Sequence, residues 1–194
     1  MEWHATVGVI SGILQVGSII PYVRDILKGT TRPNAVSTGL WMLLAGIAFV
    51  AQISAGASWS VILVGGIAFN CTVVTVLALS GYGYAKYGKL DWLCLALGLT
   101  SIGAWILTEN PVVAIILAVI ASIIANIPTV VKTYREPHSE HAFSWLVVVT
   151  ASSLSLLSTA QWNIQNLLYP FEDWILNLTI FSLAFWGQRK NRGR

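Results

Sequence analysis

Two asparagines, Asn70 and Asn177, are the residues of this sequence best suited to binding a polar ligand. Both lie in strongly apolar stretches, where an unpaired amide is costly. An asparagine offers two N–H donors and a carbonyl acceptor, which suits a ligand that carries hydroxyl groups. We expect them to bind a ligand. The alternative is that each amide bridges neighbouring helices as a buried polar contact.

The two asparagines occupy equivalent positions of an internal repeat. The segment 21–72 aligns without a gap to 128–179, at an offset of 107 residues. The matches include Pro21 with Pro128, Val23 with Val130, Ala35 with Ala142, Ser37 with Ser144, and Asn70-Cys71-Thr72 with Asn177-Leu178-Thr179. A repeat of this kind predicts two related units. A duplicated apolar unit with one proline and one amide per copy is typical of a small membrane transporter.

Further candidates for the same pocket are two polar residues and two tryptophans. Gln52 and Thr159 match at the offset of 107. Trp162 is predicted to close the sixth helix, and Trp59 to lie at the junction of the second and third. An indole face can stack on the C–H surface of a sugar ring. Alternatively, both tryptophans belong to the aromatic belt at the membrane interface.

Two matched prolines are candidate hinges. Pro21 and Pro128 lie late in the first and fifth predicted helices. Proline removes one backbone hydrogen bond and presses its ring on the preceding turn, so each helix is predicted to kink or loosen there. The kinks would let the inner end of the bundle open and close. The alternative is a static bend.

The distribution of charged residues bears on the mechanism. No Asp, Glu, Lys, Arg or His falls in the middle third of any predicted span. Because proton-driven carriers generally need an embedded titratable group, we expect passive transport that is independent of a proton gradient. Asp173 lies one turn outside Asn177, so we expect it, with Tyr169, to help close an outer gate.

These residues would be positioned by seven membrane-spanning helices. The chain is 56% hydrophobic and 10% charged, with a mean hydropathy of +0.72, and its apolar runs are long enough to cross a bilayer. The predicted spans are about 5–27, 35–56, 59–80, 90–107, 111–133, 142–162 and 171–187. Little sequence remains outside them, so residues 1–194 are predicted to form a single membrane domain.

The predicted orientation follows from the basic residues. With the N-terminus outside, all eleven lysines and arginines fall on one side: Arg24, Lys28, Arg32, Lys86, Lys89, Lys132, Arg135, Arg189, Lys190, Arg192 and Arg194. The other side carries the acids Glu2, Glu109, Glu172 and Asp173. The positive-inside rule makes the basic side cytoplasmic. The C-terminus is therefore predicted to be cytoplasmic.

The repeat predicts how the spans are organised. Residues 5–80 form the first three-helix repeat, 90–107 a linker helix, and 111–187 the second repeat. Three spans are an odd number, so direct duplication would invert the second copy. The linker helix restores its orientation. The predicted fold is an all-α membrane protein of two parallel units in a 3+1+3 arrangement.

Several functional classes are not expected. No Ser/His/Asp set or acidic pair suggests an enzyme, and no cofactor or metal site is predicted. The net charge of +3 reflects short loops, so nucleic acid is not an expected partner. The expected partners are a small neutral solute such as a sugar and membrane lipids, with a homo-oligomer left open. The expected location is the cell membrane, either a plasma membrane or a bacterial inner membrane.

This combination of features resembles the SWEET sugar transporters and the wider PQ-loop superfamily, over residues 5 to 187. The resemblance implies that Asn70 and Asn177 bind sugar, that Trp162 and Trp59 stack on it, and that the two prolines are hinges. Two features depart from the family pattern. Tyr22 and Thr129 replace the glutamine that follows each proline, and the second and sixth spans contain no proline.

The expected function is facilitative transport (uniport) of a small neutral polar solute, such as a sugar, by alternating access. One alternative is a membrane receptor or assembly factor that keeps the fold without transporting. The other is a PQ-loop carrier for a different small metabolite.

Overall fold

The computed structural model describes residues 2–29, 32–85, 88–137 and 142–192. In these ranges the chain is all-helical, as predicted, and contains no β-strand. The helices are α1 Glu2–Gly17, α2 Ile19–Leu27, α3 Ala35–Ser54, α4 Val61–Leu77 with a π-helical turn Ala78–Tyr82, α5 Lys89–Thr108, α6 Pro111–Arg135, α7 Ala142–Leu157 and α8 Ile164–Arg192. Lys86 and Arg194, which contribute to the charge pattern, lie outside the described residues.

Five helical segments are long and apolar enough to cross a membrane. They are Glu2–Leu27, Ala35–Ser54, Val61–Tyr82, Asp91–Thr108 and Pro111–Arg135. The apolar α7 is shorter, at 16 residues. The five long segments indicate a membrane protein.

Local capping signals set the starts of α3 and α6. The Asn34 side chain accepts a hydrogen bond from the Val36 N–H at 3.1 Å. The Asn110 side chain accepts one from Val112 at 3.0 Å, and Pro111 occupies the first helical position. Asparagine caps and a first-turn proline both favour helix initiation. Both helices begin at the predicted residues.

The boundary between α7 and α8 differs from the prediction. The sixth span was predicted to end at 162, but α7 ends at Leu157. The seventh was predicted from 171, but α8 begins at Ile164. The reason is a local cap, because the Asn163 side chain accepts a hydrogen bond from the Asn166 N–H at 3.2 Å. The longer α8 carries Tyr169, Glu172 and Asp173 inside a helix.

The two matched prolines lie in different helical contexts. The first span is interrupted at Ser18, between α1 and α2. Pro21 cannot donate to the Gly17 carbonyl, and its ring crowds that carbonyl, which accounts for the break. In contrast, α6 runs without interruption past position 128 to Arg135. The first helix is therefore loosened near its proline, as predicted, while α6 shows no break, and a kink at Pro128 stays a prediction.

Helix packing brings the third helix of each predicted unit between the other two. In the first unit α4 contacts both α1 and α3, and in the second α8 contacts both α6 and α7. Between the units, α1 packs on α7 and α3 packs on α6. The remaining helix, α5, packs on α6 and α3.

Small side chains allow α1 to approach α4 closely. A Cβ atom added at Gly8 would lie 2.8 Å from Cβ of Trp59, and one at Gly12 would lie 2.5 Å from Cγ2 of Ile62. The Ser11 hydroxyl, also on α1, donates to the Ala151 carbonyl of α7 at 2.7 Å. Close backbone approach of this kind is how helices associate in lipid.

The main apolar core lies where α3, α4, α6 and α8 meet. Its buried members are Ile47, Ala48, Ala51, Val64, Ala114, Ile115, Ala118, Val119 and Tyr169. The alanines of α3 and α6 bring these two helices together, so the core joins the two predicted units.

Candidate solute-binding site

Asn70 is buried on α4 and connects it to α1. Its side chain is 9% exposed, and Nδ2 donates to the Gln15 carbonyl at 2.6 Å. The carbonyl oxygen, Oδ1, has no hydrogen-bond partner. Asn70 therefore makes the helix-bridging contact considered as an alternative, while its acceptor remains open.

Asn177 is equally buried on α8 but makes a different contact. Its Nδ2 donates to the Asp173 carbonyl at 2.6 Å, one turn earlier in the same helix. Asn177 therefore does not use this bond to bridge helices. The helices α4 and α8 are in contact, yet no hydrogen bond joins the two asparagines in the part of the chain that the structure describes.

Several buried polar atoms in the bundle have no partner. They are Nδ1 of His4, Oε1 of Gln15, Nε1 of Trp41, Nε2 and Oε1 of Gln52, Oδ1 of Asn70 and Oε1 of Glu172. They come from four helices, α1, α3, α4 and α8. A buried polar group without a hydrogen bond costs about 1–3 kcal/mol, and such groups in a native structure call for a ligand, water or ion.

Gln52 and Thr159, predicted at matched positions, occupy different settings. Gln52 is fully buried on α3, and neither of its amide atoms has a partner. Thr159 is also buried, but it follows the end of α7, and its hydroxyl donates to the Ser155 carbonyl at 3.4 Å. Of the two, Gln52 keeps its polar atoms free for a ligand.

The tryptophans are placed away from these amides. Trp162 lies in the loop between α7 and α8 with 77% of its surface exposed, so the prediction that it closes the sixth helix is wrong. Trp59 is 43% exposed, and its backbone and Cβ pack on Gly8. These positions fit the interface alternative better than stacking on a buried ligand.

The structure buries the carboxyl group of Glu172, which the sequence predicts to lie near the outer face. Glu172 is the ninth residue of the 29-residue α8 and only 7% exposed. It interacts with Ser122, the twelfth residue of the 25-residue α6. Glu172 lies in the first third of α8, so the prediction that no titratable residue falls in the middle third of a span stays a prediction, but Glu172 is a buried acid of the bundle.

The two residues predicted to form an outer gate lie one turn apart on α8. Tyr169 is 4% exposed and belongs to the apolar core. Asp173 instead accepts a hydrogen bond from the Ser152 hydroxyl of α7, at 2.5 Å. They face different neighbours, so the structure brings neither to an open rim.

Asn166 is a further polar residue that the sequence reasoning missed. It is fully buried, and its Oδ1 accepts from the Ser58 N–H at 2.6 Å and from the Ser60 hydroxyl at 3.3 Å. Its Nδ2 donates to the Asn163 side chain at 2.6 Å and to the Gln161 carbonyl at 3.1 Å. We call these five residues the loop clasp, because they join the α3–α4 and α7–α8 loops. The pair Asn163–Asn166, with its capping spacing, was the available signal.

Neither Asn70 nor Asn177 lines the following two cavities. One of about 90 Å³ lies between α3, α5 and α6 and is lined by Ser37, Leu40, Trp41, Asp91, Cys94, Ala125 and Thr129. The other is an open apolar groove of about 860 Å³ between α1, α3 and α4. Asn70 and Asn177 are 9% and 7% exposed, so both lie in the interior of the bundle.

Comparison with known proteins does not assign the chain to a family. No family model, no curated protein and no solved structure matches the chain.

Proposed function

We propose that this protein is a membrane carrier that moves a small neutral polar solute, of the class that includes sugars, by alternating access. In this proposal seven spans form two parallel three-helix units joined by α5. The N-terminus is outside and the C-terminus cytoplasmic. Solute binds between α4 and α8, near Asn70 and Asn177, and the two units rock to expose it to one face and then the other.

The helix contacts support the two-unit arrangement. In the two units α1 corresponds to α6, and α3 corresponds to α7. The contact of α1 with α7 is therefore equivalent to the contact of α6 with α3, and both are present. The middle position of α4 in one unit is likewise equivalent to that of α8 in the other. These correspondences are expected for a duplicated unit.

The observation that carries the proposal is the set of buried amide atoms without partners on Gln15 of α1, Gln52 of α3 and Asn70 of α4. Leaving them unpaired in a packed interior is expensive, so a state with a polar ligand is expected to satisfy them. Amide groups supply both donors and acceptors. Such a lining suits the hydroxyl groups of a neutral solute.

The closed interior also fits a carrier. A site that is sealed in one state and reached from each face in others is what alternating access requires. The hydrogen bonds of the loop clasp join the two loops at the predicted outer end of the bundle. We expect the loop clasp to open when the site faces outward.

The proposal is tested with purified protein in liposomes. Binding and uptake of labelled hexoses, pentoses and disaccharides are measured on the same preparation. We expect at least one solute to bind saturably and to enter down its gradient. Binding without flux would instead favour a receptor, and neither binding nor flux for any solute would contradict the proposed substrate class.

A further inference from the structure

Glu172 is a buried acid, and its surroundings supply little to stabilise a negative charge on its carboxyl group. Its side chain is 7% exposed, and Oε1 has no hydrogen-bond partner. Its interaction across the bundle is with the neutral hydroxyl of Ser122 on α6. An ionised carboxylate in such surroundings loses its hydration and gains little in return.

No positive charge lies near Glu172 on the helices that pack on α8. The helices α3, α4 and α7 contain no lysine, arginine or histidine in their described residues. On α6 the nearest basic residue is Lys132, ten positions beyond Ser122, and on α8 it is Arg189, seventeen beyond Glu172. The ionisable groups that do lie near are Asp173, Tyr169 and, on α4, Cys71. None of these supplies a positive charge.

The neighbouring carboxyl group, that of Asp173, has hydrogen-bond partners that Glu172 lacks. It accepts the Ser152 hydroxyl at 2.5 Å and also interacts with the Asn177 side chain. Hydrogen bonds of this kind stabilise an ionised carboxylate. Two negative charges on adjacent residues repel each other, so Asp173 also disfavours charge on Glu172.

The space around Glu172 limits what can neutralise it. Glu172 is only 7% exposed, and neither the cavity between α3, α5 and α6 nor the apolar groove is lined by Glu172, Tyr169 or Ser122. Tyr169, three residues earlier on α8, is 4% exposed and interacts with it. A solute ammonium group or a metal ion needs room in the closed bundle, whereas a proton needs none.

We propose that Glu172 is a proton-binding site whose protonation is required for the bundle to close around the solute. The step is the addition of one proton, from water on the open face, to the Glu172 carboxylate. When the bundle opens again, the carboxylic acid can release that proton to water. This inference rests on the proposed carrier function, since it concerns closure of the same site.

The proposal predicts how transport rate depends on pH. Where Glu172 is ionised in the open carrier, closure must wait for a proton, so the rate falls as pH rises. The expected loss is about tenfold for each pH unit above the titration of the open state, because one proton is required. The proton can return to its original side on the empty carrier. The pH can therefore set the transport rate without driving accumulation of the solute.

The first experiment detects the proton without measuring transport. Infrared spectra of the reconstituted protein, uniformly labelled with [13C]glutamate, distinguish protonated glutamate from aspartate by the carboxylic C=O stretch. We expect one protonated glutamate band at neutral pH that is absent in Glu172→Gln and retained in Glu109→Gln, an exposed acid in the α5–α6 loop. A wild-type spectrum without a protonated glutamate would overturn the proposal, whether or not flux is found.

The second experiment measures solute exchange with equal pH on both sides of the liposome. We expect the wild type and Glu109→Gln to slow as pH rises, and Glu172→Gln to exchange at a rate that no longer depends on pH. Asp173→Asn should keep a pH dependence, since Glu172 remains. Unchanged pH dependence in Glu172→Gln would overturn the proposal while leaving the carrier function intact.

Discussion

The two predicted three-helix units share helix order and packing but differ in what fills the interior. At the offset of 107, Gly65 and Gly66 of α4 correspond to Glu172 and Asp173 of α8. In the first unit, a Cβ atom at Gly66 would lie 3.1 Å from Cγ of Gln15. In the second, Gln15 corresponds to the short Ser122. The first unit thus combines a long amide side chain with two glycines, whereas the second combines a short hydroxyl side chain with two carboxyl groups. The same helix arrangement therefore carries different polar side chains in the two units.

The difference extends to the helix ends. The first unit is interrupted in its first helix, at Ser18, while the second has a shortened α7 and an early start to α8. The interruption lies at the predicted inner end and the shortening at the predicted outer end. The two units are therefore suited to different movements, with the first bending inside and the second opening the loop clasp outside.

The largest expected effect comes from transferring a carboxyl between units. Gly66→Asp places a charge beside Gln15 without the serine that Asp173 uses, because Ala45 stands at the position matched to Ser152. An uncompensated buried charge destabilises on the order of 3–5 kcal/mol. Thermal unfolding in detergent should show this loss, and adding Ala45→Ser should recover part of it. A stable Gly66→Asp variant would mean that the units do not differ as described.

A large effect is also expected from opening the loop clasp. Asn166→Ala leaves the Ser58 N–H and the Ser60 hydroxyl without their partner, at a cost of about 1–3 kcal/mol for each buried group. Distances between spin labels on the α3–α4 and α7–α8 loops should lengthen or broaden. Asn163→Ala, which removes the cap of α8 but leaves Asn166 on Ser58, should cost about 1 kcal/mol and keep the loops together. Equal loop distances in all three proteins would show that Asn166 does not close this end.

A smaller loss is expected at the asparagines themselves. Asn70→Ala and Asn177→Ala should each reduce uptake about tenfold or more, corresponding to about 1–3 kcal/mol of lost hydrogen bonding to the solute. The matched controls are Thr72→Ala and Thr179→Ala, since these threonines are exposed two residues further along the same helices. The controls should transport normally. Asn variants that fold and transport like wild type would make the pair structural.

The smallest effect is expected at the prolines. Pro21→Ala should slow exchange several-fold with little change in equilibrium binding, because alanine allows the helix to continue through the Ser18 break. Pro128→Ala should have less effect, since α6 is already continuous. Equilibrium binding and exchange rates are measured for both variants. Equal slowing of exchange in the two would show that both prolines act as hinges, as the sequence predicts.

Local signals explain which parts of the fold could be predicted. The starts of α3 and α6 follow from Asn34 and Asn110-Pro111, which act within one turn. The apolar lengths of the spans follow from composition. Asn163 is an equally local cap. It lies before the predicted start of the seventh span at 171, because polar residues between 161 and 173 predict a loop there.

The environment of the site could not be predicted because it depends on contacts between helices. Glu172 is buried beside Ser122, fifty residues earlier in the chain. Asp173 accepts a hydrogen bond from the Ser152 hydroxyl. Neither serine is distinctive in the sequence. Burial of Asn70 and Asn177 was predictable, since any residue in the middle of an apolar span lies at depth, but the different partners of the two amides were not.

Counterflow tests the central claim, that this protein is an alternating-access carrier, most directly. Liposomes containing the protein are loaded with unlabelled solute and diluted into a trace of the same labelled solute. The account predicts a transient accumulation of label above equilibrium, lost in Asn70→Ala and Asn177→Ala and kept in Thr72→Ala and Thr179→Ala. Binding of the solute with no transient accumulation in the wild-type protein would contradict it.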